Sequence, residues 1–221
     1  MIIHTRVQSG ENMSEIKLNL GCGGRPLDGY INVDMDSADD LRRRYPSRKF
    51  PPDLKVYNYD IFNLPYKDVT VDEVRADSFI EHLSFSEEPK FFAEVRRVLK
   101  PGGVFRFLAP NFEEVVRAWL KAKDDWKEFY RNDDEAIAKH HWFGNYSYTI
   151  ENRWGYLTAA FYGTQNGGGQ FHRNCYTEGK IRAILKYLDF ADVLIQREDL
   201  QDDLDVMFWP DVMLNVRCRK A

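Results

Sequence analysis

The stretch Lys17-Leu18-Asn19-Leu20-Gly21-Cys22-Gly23-Gly24 constrains the fold more than any other part of the chain. An alternating apolar run that stops abruptly in glycines reads as a buried first strand feeding a tight turn. Glycine suits such a turn because a ligand can approach the backbone where no Cβ stands in the way. A second short strand, Tyr30-Ile31-Asn32-Val33-Asp34, follows and ends in a carboxylate. A glycine turn after strand one and an acid at the tip of strand two is the layout of a nucleoside-binding α/β fold. The turn takes the middle of the ligand and the acid its ribose hydroxyls.

The turn is not the dinucleotide fingerprint. Pro26 stands at the place of the third glycine. Asp34 follows Gly21 by about a dozen residues, where that fingerprint has ~20. Residues 25–30 are too few for a full helix, so there is no long helix N-terminus to hold a pyrophosphate. A ligand without phosphate fits better, and S-adenosylmethionine is such a ligand.

Four pieces of the chain, LNLGCGG, INVD, YDIFNLPYKDVTVDEVRADSFIEHL and RRVLKPGGVFRFLAPN, stand in order between residues 16 and 111. Together they resemble the class I S-adenosylmethionine-dependent methyltransferases, in the small methyltransferase-domain branch. The resemblance implies an α/β fold: a Rossmann-like doubly wound sheet, mostly parallel with an antiparallel terminal hairpin, in three layers. It implies S-adenosyl-L-methionine as cofactor, held by Asn19, Gly21, Cys22, Gly23, Asp34, Met35, Asp60, Ile61, Asp77 and Ser78. Asp34 takes the ribose, Asp60-Ile61 resembles the adenine contact, and Asp77-Ser78 lies near the methionine end. The chain departs from the family in two places. Asn19 stands where an acid is usual, and residues 25–30 stand where a longer helix is usual.

Elsewhere the pattern continues the α/β alternation. Residues 37–44 read as a short polar helix, 54–60 as a third strand, 71–76 as a fourth and 104–108 as a fifth. Residues 91–99 have helical period, and Lys100-Pro101-Gly102-Gly103 stops them. From 112 to 176 the alternation fails. One helix over 113–130 is expected, then a dense aromatic stretch that includes Trp142, Phe143 and Trp154, suggesting an insertion or lid. Residues 178–188 read as the last helix, and 191–197 and 212–219 as the closing strands. The expected organisation is a loose tail over 1–13 and one methyltransferase domain over 14–221, with the insertion at about 112–176.

Composition bounds the partners. The 221 residues carry a net charge of −4, so nucleic acid is not an expected partner. The arginines at 42–44 read as a solvated helix face. No apolar run approaches the ~18 residues of a membrane span. Cys22, Cys175 and Cys218 show no paired spacing, which fits a reducing, cytoplasmic setting and gives no zinc pattern.

Methyl transfer is a displacement on an activated sulfonium, so the protein supplies alignment and, for a hydroxyl acceptor, a base. His82 is the candidate base, with a brace for its own turn as the competing role. His141, Trp142, His172, Arg173 and Tyr176 are the candidate acceptor-binding residues, Arg173 for an anionic group. His140, His141 and His172 lack a carboxylate at ligand spacing, so no metal site is expected. The reading is O-methylation of a small-molecule or glycan-type acceptor. N-methylation of a small amine or protein side chain, or a non-catalytic cofactor-binding subunit, are the alternatives.

Overall fold

The computed structural model describes residues 15–46, 48–124, 153, 156–163, 165, 170–196 and 212–221. Seven strands form one sheet: β1 (Lys17–Leu20), β2 (Ile31–Val33), β3 (Val56–Tyr57), β4 (Val71–Asp77), β5 (Leu99–Pro110), β6 (Phe190–Gln196) and β7 (Met213–Lys220). Their order is β3-β2-β1-β4-β5-β7-β6. The first five pair in parallel, and β7 runs antiparallel to both β5 and β6. This is the expected Rossmann-like sheet with an antiparallel end. The order reverses between β1 and β4, and a ligand cleft opens outside the carboxyl ends of strands at such a point.

The described helices are α1 (Ala38–Arg44), α2 (Glu88–Val98), α3 (Phe112–Lys121), α4 (Tyr156–Tyr162) and α5 (Glu178–Tyr187). Ser37 caps α1 through a reciprocal pair of bonds with Asp40. Thr177 caps α5 by accepting the Lys180 N–H at 3.2 Å. The inner face of α2 delivers Phe91 and Phe92 onto Phe105 and Phe107 of β5, with ring centroids 4.7–6.4 Å apart. These rings and the buried Val71, Val74 and Ala76 of β4 form the main core. Aromatic pairs at this spacing add to what their buried area contributes.

Two strands differ from the sequence expectation. β3 keeps two residues of the expected seven, because the chain turns at once: Asp60 accepts the Phe62 N–H at 2.9 Å. β5 begins earlier than expected and takes in the whole Lys100-Pro101-Gly102-Gly103 turn. Its pairing with β4 shifts register between Val71 and Glu73, and Gly102 has φ +75°. The segment is a bulged strand rather than a plain reversal. The helix expected over 113–130 runs from Phe112 to Lys121 and stops there, because Ala122 is extended at its C-cap and residues 122–124 are not helical; residues 125–130 lie outside the described residues.

The loop between β1 and β2 has no helix, and two buried amides serve its backbone instead. Asn19 donates to Asn32 Oδ1 at 2.9 Å and to the Arg25 carbonyl at 3.0 Å. Asn32 accepts the Leu27 N–H at 2.8 Å and donates to the Leu27 carbonyl at 3.1 Å. Asn19→Asp tests this network, because a carboxylate would face two acceptors and donate to neither. The expected cost is roughly 3 kcal/mol, or ~5–10 °C in Tm. A melting temperature equal to that of the wild type at neutral pH would show that the amides do not hold the loop.

Candidate functional site

The turn after β1 is built on positive φ angles, +65° at Gly21 and +49° at Gly23. A Cβ on Gly21 would stand 2.1 Å from Cδ2 of Phe79, and one on Gly24 would stand 3.0 Å from the Tyr45 ring. The close approach that requires glycine at 21 is thus made by the chain's own Phe79, where the sequence suggested a ligand. Gly23 turns its N–H onto Asp34 Oδ2 at 2.8 Å, and Asp36 gives its N–H to Asp34 Oδ1 at 3.0 Å. Each oxygen of Asp34 keeps capacity for a further donor, such as a ribose hydroxyl.

The remaining expected cofactor residues take several positions. Asn19 is buried beneath the turn in the amide network, and Cys22 is buried beside it. Burial and the neighbouring Asp34 push the Cys22 thiol up to about 12, so it is inert. Met35 is exposed next to Asp34. Asp60 is exposed in its own turn, and Ile61 packs against the core. Asp77, at the end of β4, pairs with Arg75 at 2.6 Å. Ser78 has φ +50°, and its buried hydroxyl has no hydrogen-bond partner. That orphan polar atom, the glycine turn and the acid at the tip of β2 fit a nucleoside-bearing ligand at the switch point.

Past Ser78 the chain makes one 3-10 turn, Ile80–His82, and a distant segment docks on it. The Glu81 carbonyl accepts the N–H groups of Arg173 and Asn174 at 2.8 and 3.1 Å. His82 Nδ1 donates to the Phe171 carbonyl at 2.9 Å, and His172 Nδ1 donates to the Ala160 carbonyl at 2.9 Å. The two imidazoles meet edge to face, with ring centroids 5.0 Å apart. Burial lowers the pKa of both, and with His82 nearby His172 falls to about 4. Burial pushes the Glu81 carboxyl up to about 8, and Asp77 adds to this. A small cavity beside them is lined by Glu81, Pro110, Phe112, Phe161, His172 and Tyr176, among others.

Of the expected acceptor residues, His172 faces this cavity. Arg173 is paired with Glu87 at 2.9 Å rather than aimed at the cavity. Tyr176 is fully buried and donates to the Ile80 carbonyl at 3.2 Å, so it backs the wall as part of the core. His140, His141, Trp142 and Trp154 lie outside the described residues. The sequence reading gave no role to Glu81, Phe79 or Asn32. Glu81 is adjacent to His82, which was the available signal; nothing local shows that His172 reaches them.

A glycine turn, an acid at the next strand's tip and a switch-point cleft together make a nucleoside-binding α/β site of the kind that class I S-adenosylmethionine-dependent methyltransferases have. The comparisons agree. Residues 18–107 match the family described as a methyltransferase domain. A "Probable S-adenosylmethionine-dependent methyltransferase" of Mycolicibacterium smegmatis is 33% identical over 108 residues, 42% of this chain and 37% of its own length. An uncharacterized protein of Streptomyces fradiae, encoded in a transposon, is 29% identical over 115 residues, 46% of this chain and 32% of its own length. The chain thus spans well under half the length of either relative. A SAM-dependent methyltransferase structure from Archaeoglobus fulgidus shares the fold at a TM-score of 0.52 and 14% identity, covering 94% of this chain and 87% of that one. Residues 18–107 are thus similar to a methyltransferase domain, and the glycine turn, Asp34 and the switch-point cleft fit S-adenosylmethionine as the ligand.

Two expected outcomes follow from this geometry. Asp34→Ala should weaken S-adenosylhomocysteine binding about ten- to a hundred-fold in calorimetry, through loss of a charge-assisted acceptor and of the Gly23 tether. Unchanged affinity would assign the ribose to another acid. His82→Ala should cost about 1–3 kcal/mol of stability by releasing the Phe171 carbonyl, while cofactor affinity changes little. A melting curve that does not move would remove the bracing role.

Proposed function

We propose that the chain transfers the methyl group of S-adenosylmethionine to a hydroxyl of a small-molecule or glycan-type acceptor. The cofactor supplies an electrophilic methyl group with a built-in leaving group. The observation that carries the acceptor reading is the cavity past the end of β4. Its walls include Pro110, Phe112 and Phe161, and its polar edge is Glu81, His172 and Asn174. Flat apolar walls suit a sugar or aromatic ring, and the polar edge suits its hydroxyls.

In this reading Asp34, Gly21, Gly23, Asp60-Ile61 and Ser78 hold the cofactor. His82 and the backbone of 171–174 fix the position of His172. The segment 112–176 is the acceptor-facing insertion of a single domain; the expected acceptor residues His141 and Trp142 lie outside its described residues. The three cysteines are free, and no described helix is long and apolar enough to cross a membrane. Both facts support work in a reducing cytoplasm.

Methyl-labelled cofactor offered with sugars, phenols and amines tests the reading. Label should appear on a hydroxyl oxygen and be absent from the amines. Label on nitrogen would move the assignment to N-methylation. Tight S-adenosylhomocysteine binding with no transfer to any acceptor would favour a non-catalytic cofactor-binding subunit.

A further inference from the structure

Glu81, His82 and His172 come together although the third is about ninety residues from the first two. One donor atom from each lies within 4.8 Å of the other two. Glu81 is 2% exposed, and its Oε2 has no hydrogen-bond partner. No ion pair to Glu81 occurs among the described residues. A carboxyl oxygen buried with no partner is costly in either protonation state and calls for an explanation by a bound water or ion.

The imidazoles are prepared in a particular way. Each gives its Nδ1–H to a main-chain carbonyl, of Phe171 and of Ala160, both at 2.9 Å. That bond fixes the Nδ1–H tautomer, the outer arrangement found around metal-binding histidines, and leaves Nε2 unprotonated; at His82 the Ser78 backbone is a second neighbour of the ring. Two oriented imidazoles and one carboxylate form the donor set of a divalent transition-metal site with open positions. The donors need only draw in, from within 4.8 Å to the roughly 3.3 Å separation that ~2.1 Å metal bonds require.

We propose that Glu81, His82 and His172 bind one divalent transition-metal ion, whose open positions face the cavity lined by Pro110, Phe112 and Phe161. The ion is a third element of the site, beyond cofactor and acceptor. It rests on the proposed methyl transfer only in what the open positions meet: an acceptor oxygen can occupy one of them.

The test uses Co²⁺ with the full chain after chelator treatment. Calorimetry should show one Co²⁺ bound per chain, with visible d–d absorption. Glu81→Gln and His172→Gln should each weaken that binding at least ten-fold while keeping S-adenosylhomocysteine affinity within about two-fold. Should either variant fail to fold, X-ray absorption of the cobalt-loaded wild-type chain should find two imidazole nitrogens in the inner shell. No stoichiometric Co²⁺ binding by the folded wild-type chain, binding that both folded variants retain, or an inner shell without imidazole would each overturn the site. Because these readouts are independent of turnover, Co²⁺ binding without methyl transfer would sink only the activity. Methyl transfer without Co²⁺ binding would sink only the metal.

Discussion

The site depends first on the buried Asn19–Asn32 amide pair. Most folds of this plan place a helix between the first two strands, and the helix satisfies its own backbone groups. Here residues 25–30 form no helix, yet their backbone still needs partners. Asn19 supplies two donors, to Arg25 O and Asn32 Oδ1, and Asn32 answers both polar groups of Leu27. A carboxylate cannot do this, because Asn19 must donate twice and Asn32 must donate as well as accept. The asparagine where the family usually has an acid and the short connection are therefore one feature. With the loop fixed in this way, Gly23 can tether Asp34, and the cofactor side of the cleft takes shape.

Much of the sheet was legible because its signals are local. Leu18 and Leu20 before glycine, Ile31 to Asp34, and Val71 to Ala76 each carry their pattern within a few residues. The Ser37 cap and the end of α2 at Val98 are equally local. The misreadings share a physical cause, since tertiary contacts overrode local pattern. The alternation over 54–60 exceeds the paired length because Asp60 turns the chain, and Gly102 sits in a bulge that only the β4 register reveals. The glycine at 21 was read for a ligand, but it is the Phe79 ring that fills the space.

The cavity side was less legible for the same reason. His172 and Arg173 are neighbours in sequence and look alike as polar pocket residues. The structure separates them: the backbone of 173 and 174 docks on the Glu81 carbonyl, which sends Arg173 out to Glu87 and leaves His172 facing His82. Tyr176 is a wall residue and a core residue at once: it lines the cavity, and its hydroxyl lies on the Ile80 carbonyl. No spacing rule encodes these outcomes, because each depends on which carbonyls of a turn ninety residues earlier are turned to accept.

That turn joins the two halves of the site. Phe79 lies against the glycine turn at one end, and its carbonyl accepts the His82 N–H at 3.0 Å. At the other end Glu81 and His82 hold residues 171–174 through three hydrogen bonds. Closely packed contacts of this kind deform little, so the distance between cofactor cleft and cavity is set by one short, buried segment rather than by loops. In-line transfer needs that distance fixed, since it depends on alignment of the methyl carbon with the attacking atom. The buried Glu81 carboxyl and the two tethered imidazoles are carried by that same segment and the chain docked on it, between the cleft and the cavity.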